Sequence, residues 1–72
     1  MQVRIEATGS LRSSVANDTV LKDVRSVAEA VEQLALPESA AVAMLVNGRV
    51  AHWETRLHDG DVLTLLPVIS GG

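Results

Sequence analysis

The 72-residue sequence predicts an α+β fold, a mixed sheet of four to five strands with one main helix on one face. Three observations lead there. One stretch, residues 26–36, carries helical periodicity. Several short stretches carry alternating or β-branched residues between turn signals. Val, Leu and Ile supply 22 of the 72 residues, enough for a single small core. A chain this short buries only about 60% of its unfolded surface. It has no cysteine, so neither a disulfide nor a thiolate is available to it.

The elements follow in order. Gln2-Val3-Arg4-Ile5-Glu6-Ala7 alternates polar and apolar, the period of a strand with one buried face. Gly9-Ser10 ends it. Residues 11–18 are ambiguous: Leu11 and Val15 are spaced for one face of a helical turn, while Asn17-Asp18 reads as a turn. Residues 19–24 are β-rich and read as a second strand. Ser26-Val27-Ala28-Glu29 fits a capping box, with Ser26 Oγ accepting from the Glu29 N–H and the Glu29 carboxylate reaching back to the Ser26 N–H. Val27, Ala30, Val31 and Leu34 then fall on one apolar stripe, expected to be buried. Pro37 stops the helix by disfavouring helical geometry at Leu36.

Residues 40–46 form a nearly continuous apolar run that suits a strand covered on at least one face. Asn47-Gly48 supplies the positive φ values of a type I′ turn, and Arg49-Val50-Ala51 returns as a short strand. Leu57 anchors the mixed stretch 52–58. Asp59-Gly60-Asp61 reads as a tight turn and residues 62–66 as the last strand, whose pairing Pro67 ends for want of an N–H. Pairing the first and last strands at the centre of the sheet gives a β-grasp; a plain split α+β sandwich is the alternative, and one helical segment excludes a helix bundle. The expected organisation is a β-grasp domain over residues 1–66 and a flexible tail over residues 67–72.

Composition excludes several functions. A net charge of −3 and a single aromatic residue argue against nucleic acid, which needs clustered Lys/Arg and stacking faces. Apolar runs stay far below the ~20 residues that span a bilayer. With an acidic residue at position 6 and no apolar h-region, the N-terminus does not read as a signal peptide. A cytoplasmic domain that touches no membrane and is monomeric when free is expected. No metal site is expected either. The two carboxylates of Asp59 and Asp61 are too few for calcium, and His52 and His58 have no third ligand nearby. Trp53 suits a sheet edge, a helix end or a partner interface.

The informative end is the C-terminus. Gly71 and Gly72 have no side chains, so nothing shields a terminal carboxylate from a narrow slot, and glycine accepts whatever φ such a slot imposes. The six residues 67–72 reach at most about 20 Å. The plain alternative is a pair of glycines fraying at a terminus. Along the last strand, Leu63 and Leu65 facing the core would turn Val62, Thr64 and Leu66 to the face that no helix covers. Val62 and Leu66 there are expected to form a docking patch close to the tail.

Val46-Asn47-Gly48-Arg49, then Leu57-His58-Asp59-Gly60-Asp61, then Leu63, Leu65, Pro67 and Gly71-Gly72, resembles the ubiquitin-like sulfur carriers. That family includes the thiamine sulfur carrier and the small subunit of molybdopterin synthase. The resemblance covers residues 26–72 and, more loosely, the first strand. It implies a β-grasp fold and a protein co-substrate rather than an enzyme. The implied partners are a ubiquitin-activating-type adenylating enzyme and a sulfur-accepting synthase subunit. The adenylating enzyme uses ATP and Mg²⁺ to turn the Gly72 carboxylate into an acyl-adenylate; the carrier itself binds no cofactor. A sulfur donor then displaces AMP and leaves a thiocarboxylate. In this picture Gly71 gives access to the slot, and Val62, Leu66, Pro67, Val68 and Ile69 meet the partner. The molybdopterin branch is placed slightly ahead of the thiamine branch. Pro67-Val68-Ile69 keeps only the first residue of the Pro-Pro-Val common in molybdopterin subunits, and Leu65 and Leu66 stand where those often carry Phe. The runner-up is a protein modifier joined to targets through the same glycine.

Overall fold

Alternation along the first strand sets the layering. In the computed structural model, which describes residues 2–9, 11, 15, 19–34 and 42–68, β1 (Gln2–Ala7) buries Val3 and Ile5 and exposes Gln2, Arg4 and Glu6. It is followed by β2 (Thr19–Lys22), α1 (Val27–Leu34), β3 (Val42–Val46), β4 (Arg49–Ala51) and β5 (Val62–Pro67). Among the described residues these strands form one five-stranded sheet in the order β2-β1-β5-β3-β4. β1 runs parallel to β5 and antiparallel to β2, and β3 runs antiparallel to both β5 and β4. The first and last strands are therefore neighbours, and the α+β, β-grasp arrangement expected from the sequence is the one observed.

The core lies between the helix and one face of this sheet. Val3, Ile5, Leu63 and Leu65 from the central strands meet Val27 and Ala30 of α1, all at 1% exposure or less, with Val24 joining them. Val31 and Leu34 pack against this cluster but stay half-buried, so the stripe is right in position and weaker in burial than expected at its C-terminal end. The helix start differs from the expected box in one bond. Glu29 N–H donates to Ser26 Oγ (3.3 Å), but Glu29 Oε2 accepts from the Arg25 N–H (2.9 Å), not that of Ser26. Ser26 is held in an isolated bridge to Arg56, and the carboxylate reaches one residue further back. The orphan N–H groups of Val27 and Ala28 donate to the Thr55 and Trp53 carbonyls at 3.0 Å, so the 53–55 loop completes the cap.

Two strand ends depart from expectation. β2 stops at Lys22 because Asp23 adopts φ 60°, a left-handed conformation open to Asp, and this turns Val24 into the core. β5 runs one residue further than expected: Pro67 takes a last rung opposite Val42. The helix stop at Leu36, the strand start at residues 40–41 and most of 11–18 lie outside the described residues. Of that last stretch, Leu11 and Val15 are described, and both are buried.

The two turn motifs of the sequence are tied into one knot. Asn47 (φ 51°) and Gly48 (φ 82°) have the paired positive φ of a type I′ turn. Asn47 N–H donates to the Val62 carbonyl (2.9 Å), and its Oδ1 accepts from the Val62 N–H (3.0 Å). Its Nδ2 donates to Asp61 Oδ1 (2.9 Å), while Asp61 Oδ2 accepts from the His58 N–H (2.8 Å). Asp59 Oδ1 accepts from the Gln2 N–H (2.7 Å), and Gly60 N–H donates to the Gln2 carbonyl (2.8 Å). The starts of β1 and β5 and the β3–β4 hairpin are thus joined at one end of the sheet.

Two outcomes follow. Leu63→Ala, at a position with 0% exposure, should cost about 2–5 kcal/mol. That approaches the whole stability of about 5 kcal/mol expected of so small a domain. Leu34→Ala should cost less, because Leu34 is only half-buried. Urea unfolding of both variants checks the order, and a larger loss at Leu34 would contradict this packing.

The second concerns acid. The Asp61 carboxyl is held below the usual carboxylate range, first by the His58 backbone N–H and next by the Asn47 amide. A carboxyl lowered by folding contributes stability that is full above its unfolded value of about 4 and is lost as pH falls through the lower folded value. Melting temperature should therefore decline as pH drops below about 4. Asp61→Asn should flatten that limb and lower stability at neutral pH by about 1 kcal/mol; an unchanged acid limb would place the sensitivity elsewhere.

Candidate functional site

β5 has two faces because side chains alternate along a strand. Leu63 and Leu65 point into the core at 0% exposure, and Val62, Thr64 and Leu66 turn to the face away from α1, where each is half-buried. Register identifies their neighbours on that open face. Leu66 lies opposite Ala43, Thr64 opposite Leu45, and Leu45 opposite Val50. Directly opposed residues share a face, so Ala43, Leu45, Val50 and Leu66 make an apolar band across β5, β3 and β4. Val50 is its most open member at 78% exposure. On the other side of β5, Arg4 registers with Val62 and Glu6 with Thr64; Val20 and Lys22 follow on β2. The open face is therefore mainly apolar over three strands, with Thr64 among them, and carries Arg4, Glu6 and Lys22 beside Val20 on the other two.

The strand that carries Val62 and Leu66 also leads to the tail. Pro67 is half-buried and Val68 is 51% exposed. Ile69, Gly71 and Gly72, the remaining predicted site residues, lie outside the described residues. The structure thus brings Val62 and Leu66 onto one face and places Pro67 and Val68 at the end of the same strand. The Asp59-Gly60-Asp61 turn sits at the opposite end of β5, some 17–20 Å away for a strand of this length. Its carboxylates are committed to the hydrogen bonds that join β1, β3 and β5.

Sequence reasoning missed Ala43, Leu45 and Val50. A continuous apolar run has no alternation, so 42–46 did not reveal which members face outward. The signal lay in the hairpin. A two-residue Asn-Gly turn forces Val46 opposite Arg49 and Leu45 opposite Val50, and burying Met44 then turns Leu45 and Val50 out together. The remaining candidates are on the surface. His52 and His58 are exposed, with His58 Nδ1 3.8 Å from Asp61 Oδ2. Trp53 is half-exposed, and it is its carbonyl that serves the helix start. Among the described residues, no group of three or more His, Asp or Glu is placed to hold a metal ion, and no helix is long and apolar enough to cross a membrane.

Comparison with known proteins adds to this geometry. The sequence profile of the ThiS family matches residues 5–72. No curated protein sequence matches significantly. Among solved structures, the complex of subunits 1 and 2 of molybdopterin-converting factor from Helicobacter pylori 26695 contains a chain 26% identical to this one. It aligns over 100% of both chains with a TM-score of 0.73. A molybdopterin-converting factor subunit 1 from Pyrococcus furiosus aligns over 96% of this chain and 99% of its own, at 23% identity and a TM-score of 0.76. Small archaeal modifier protein 1 of Haloferax volcanii has the same fold, with 94% of this chain and 98% of its own aligned at 16% identity and a TM-score of 0.75.

Proposed function

The chain belongs to the ThiS family, and from that premise we propose that it is a sulfur carrier whose reacting group is the Gly72 carboxylate. The observation that carries this reading is that the family match runs through to Gly72, five residues on in sequence from the strand that presents the open apolar face. A carboxylate oxygen is a poor leaving group, so activation comes first. A partner adenylating enzyme of the ubiquitin-activating type, with ATP and Mg²⁺, joins that oxygen to the α-phosphorus and releases pyrophosphate. A persulfide sulfur then attacks the carbonyl carbon and AMP departs. A thiol cleaves the resulting acyl disulfide and leaves a thiocarboxylate. The carrier contributes the carboxylate and the surface that docks it, and the partners contribute the catalysis.

The sulfur passes to a synthase subunit, and the molybdopterin branch is favoured over the thiamine branch. The support is the 26% identical chain from Helicobacter pylori, which is complexed with a second subunit of a molybdopterin-converting factor. The second reading is a protein modifier, in which a target lysine rather than a sulfur displaces AMP. A protein named as an archaeal modifier shares the fold, and at 16% identity that likeness carries the fold alone, so this reading stays second.

Docking through the open face makes one outcome specific. Leu66→Asp should leave the fold intact, since Leu66 faces away from the core, and should lower adenylation at least about tenfold, because a charge is costly to desolvate against an apolar partner. A folded variant activated at the normal rate would remove this face from the interaction. The tail gives the direct test of the reading. Deleting Gly72 moves the carboxylate back by one residue, about 3.5 Å, and misplacement by 1 Å can cost about a hundredfold in rate. ATP–pyrophosphate exchange should be abolished by the deletion, and also by Gly71→Val, with melting temperatures unchanged. Normal exchange by the deletion variant would take the terminal carboxylate out of the mechanism.

A further inference from the structure

Position 9 has no room for a side chain on the side that faces the end of β5. Gly9 has a φ of +58°, and a Cβ there would lie 2.9 Å from Pro67 Cγ and 3.4 Å from Pro67 Cδ. Carbon atoms in contact sit about 3.5–4.0 Å apart, so the Pro67 ring rests against the bare Cα of Gly9. Both sides of this contact are held. Thr8 N–H and Thr8 Oγ1 donate to the Leu65 carbonyl at 3.1 and 3.4 Å, which carries the grip of β1 on β5 one residue further. Leu11 N–H donates back to the Thr8 carbonyl (3.2 Å), and Leu11 is buried, so the ledge bearing Gly9 is anchored in the core. On its other flank Pro67 is paired with Val42 of β3. The pyrrolidine ring fixes its own φ, so whatever holds the ring also sets the course of the chain that follows. Val68, the next residue, is already exposed.

We propose that Gly9 is a positioning residue for the tail: by letting the Pro67 ring lie flush against the backbone, it sets the point and direction in which the chain passes from β5 to Val68. This rests on the reading of Gly72 as the reacting end. When the open face is docked and the carboxylate is in its slot, both ends of the tail are fixed. Six residues span at most about 20 Å, so an extended tail has little slack to absorb a displaced origin. A β-carbon at position 9 forces the ring to move, and the error reaches the reacting atom.

Asn tolerates the left-handed region, so Gly9→Asn adds the Cβ without the full backbone strain of alanine. In ATP–pyrophosphate exchange with the cognate adenylating enzyme, Gly9→Asn should lower kcat at least about tenfold. KM for the protein should change little, because Val62 and Leu66 are untouched. Pro67→Ala removes the Cγ and Cδ that the new Cβ meets. It should itself lower kcat by emptying the seat, and adding Gly9→Asn to it should then have little further effect on kcat. A thermal melt of each protein separates these losses from unfolding; if Gly9→Asn is unfolded, Pro67→Ala carries the test. Normal kcat in either folded variant, or an equal loss from Gly9→Asn with and without the proline ring, would overturn the proposal. Absence of exchange by the unaltered protein would overturn the carrier reading itself, a distinct result.

Discussion

The structure depends on one strand being gripped from both sides along its length. β5 lies at the centre of the sheet, parallel to β1 and antiparallel to β3. A parallel pair cannot be closed by a tight turn, so the chain between β1 and β5 must cross over, and α1 packs on one face of the sheet in doing so. At the start of β5, Asn47 and Asp61 tie the strand to the β3–β4 hairpin, and Asp59 and Gly60 tie that turn to Gln2. At its end, Thr8 holds the Leu65 carbonyl and Gly9 accepts the Pro67 ring. With no disulfide, these polar ties at the two strand ends fix the register that the aliphatic core alone would leave less specified.

That register divides the work of β5. One set of side chains, Leu63 and Leu65, completes the core; the other, Val62, Thr64 and Leu66, belongs to the face away from α1. The strand that stabilises the domain is therefore also the strand that contributes to the open apolar face, the docking surface of the proposed function. The motif residues Asn47, Gly48, Asp59, Gly60 and Asp61 carry no chemistry in this arrangement. They are the hydrogen-bonding and positive-φ positions that hold the strand.

Much of this was legible in the sequence where a pattern is local. The alternation of β1, the Asn47-Gly48 turn and the stripe of α1 each depend on residues a few positions apart, and each took its expected place, with Val31 and Leu34 less buried than the stripe implied. Legibility failed where the deciding partner is distant or the local residues are permissive. β-branched Val24 hid the end of β2, because only the left-handed Asp23 reveals that the chain turns inward there. The capping carboxylate of Glu29 accepts from the Arg25 N–H, next to an isolated bridge between Ser26 and Arg56, thirty residues away, that no local pattern announces. The outward members of β3 were masked by a run that is apolar on both faces. The seat of Pro67 on Gly9 joins two residues nearly a chain length apart, and nothing around Gly9 distinguishes it from an ordinary loop glycine.

The proposed function comes down to the fate of one carboxylate, that of Gly72. The most direct measurement is mass spectrometry of the intact protein and of its C-terminal fragment after incubation with the cognate adenylating enzyme, ATP, a persulfide donor and a thiol. The account predicts replacement of one oxygen by sulfur, located at Gly72 and absent when ATP is omitted. An unchanged Gly72 carboxylate in a mixture where the enzyme turns over a known carrier would contradict it.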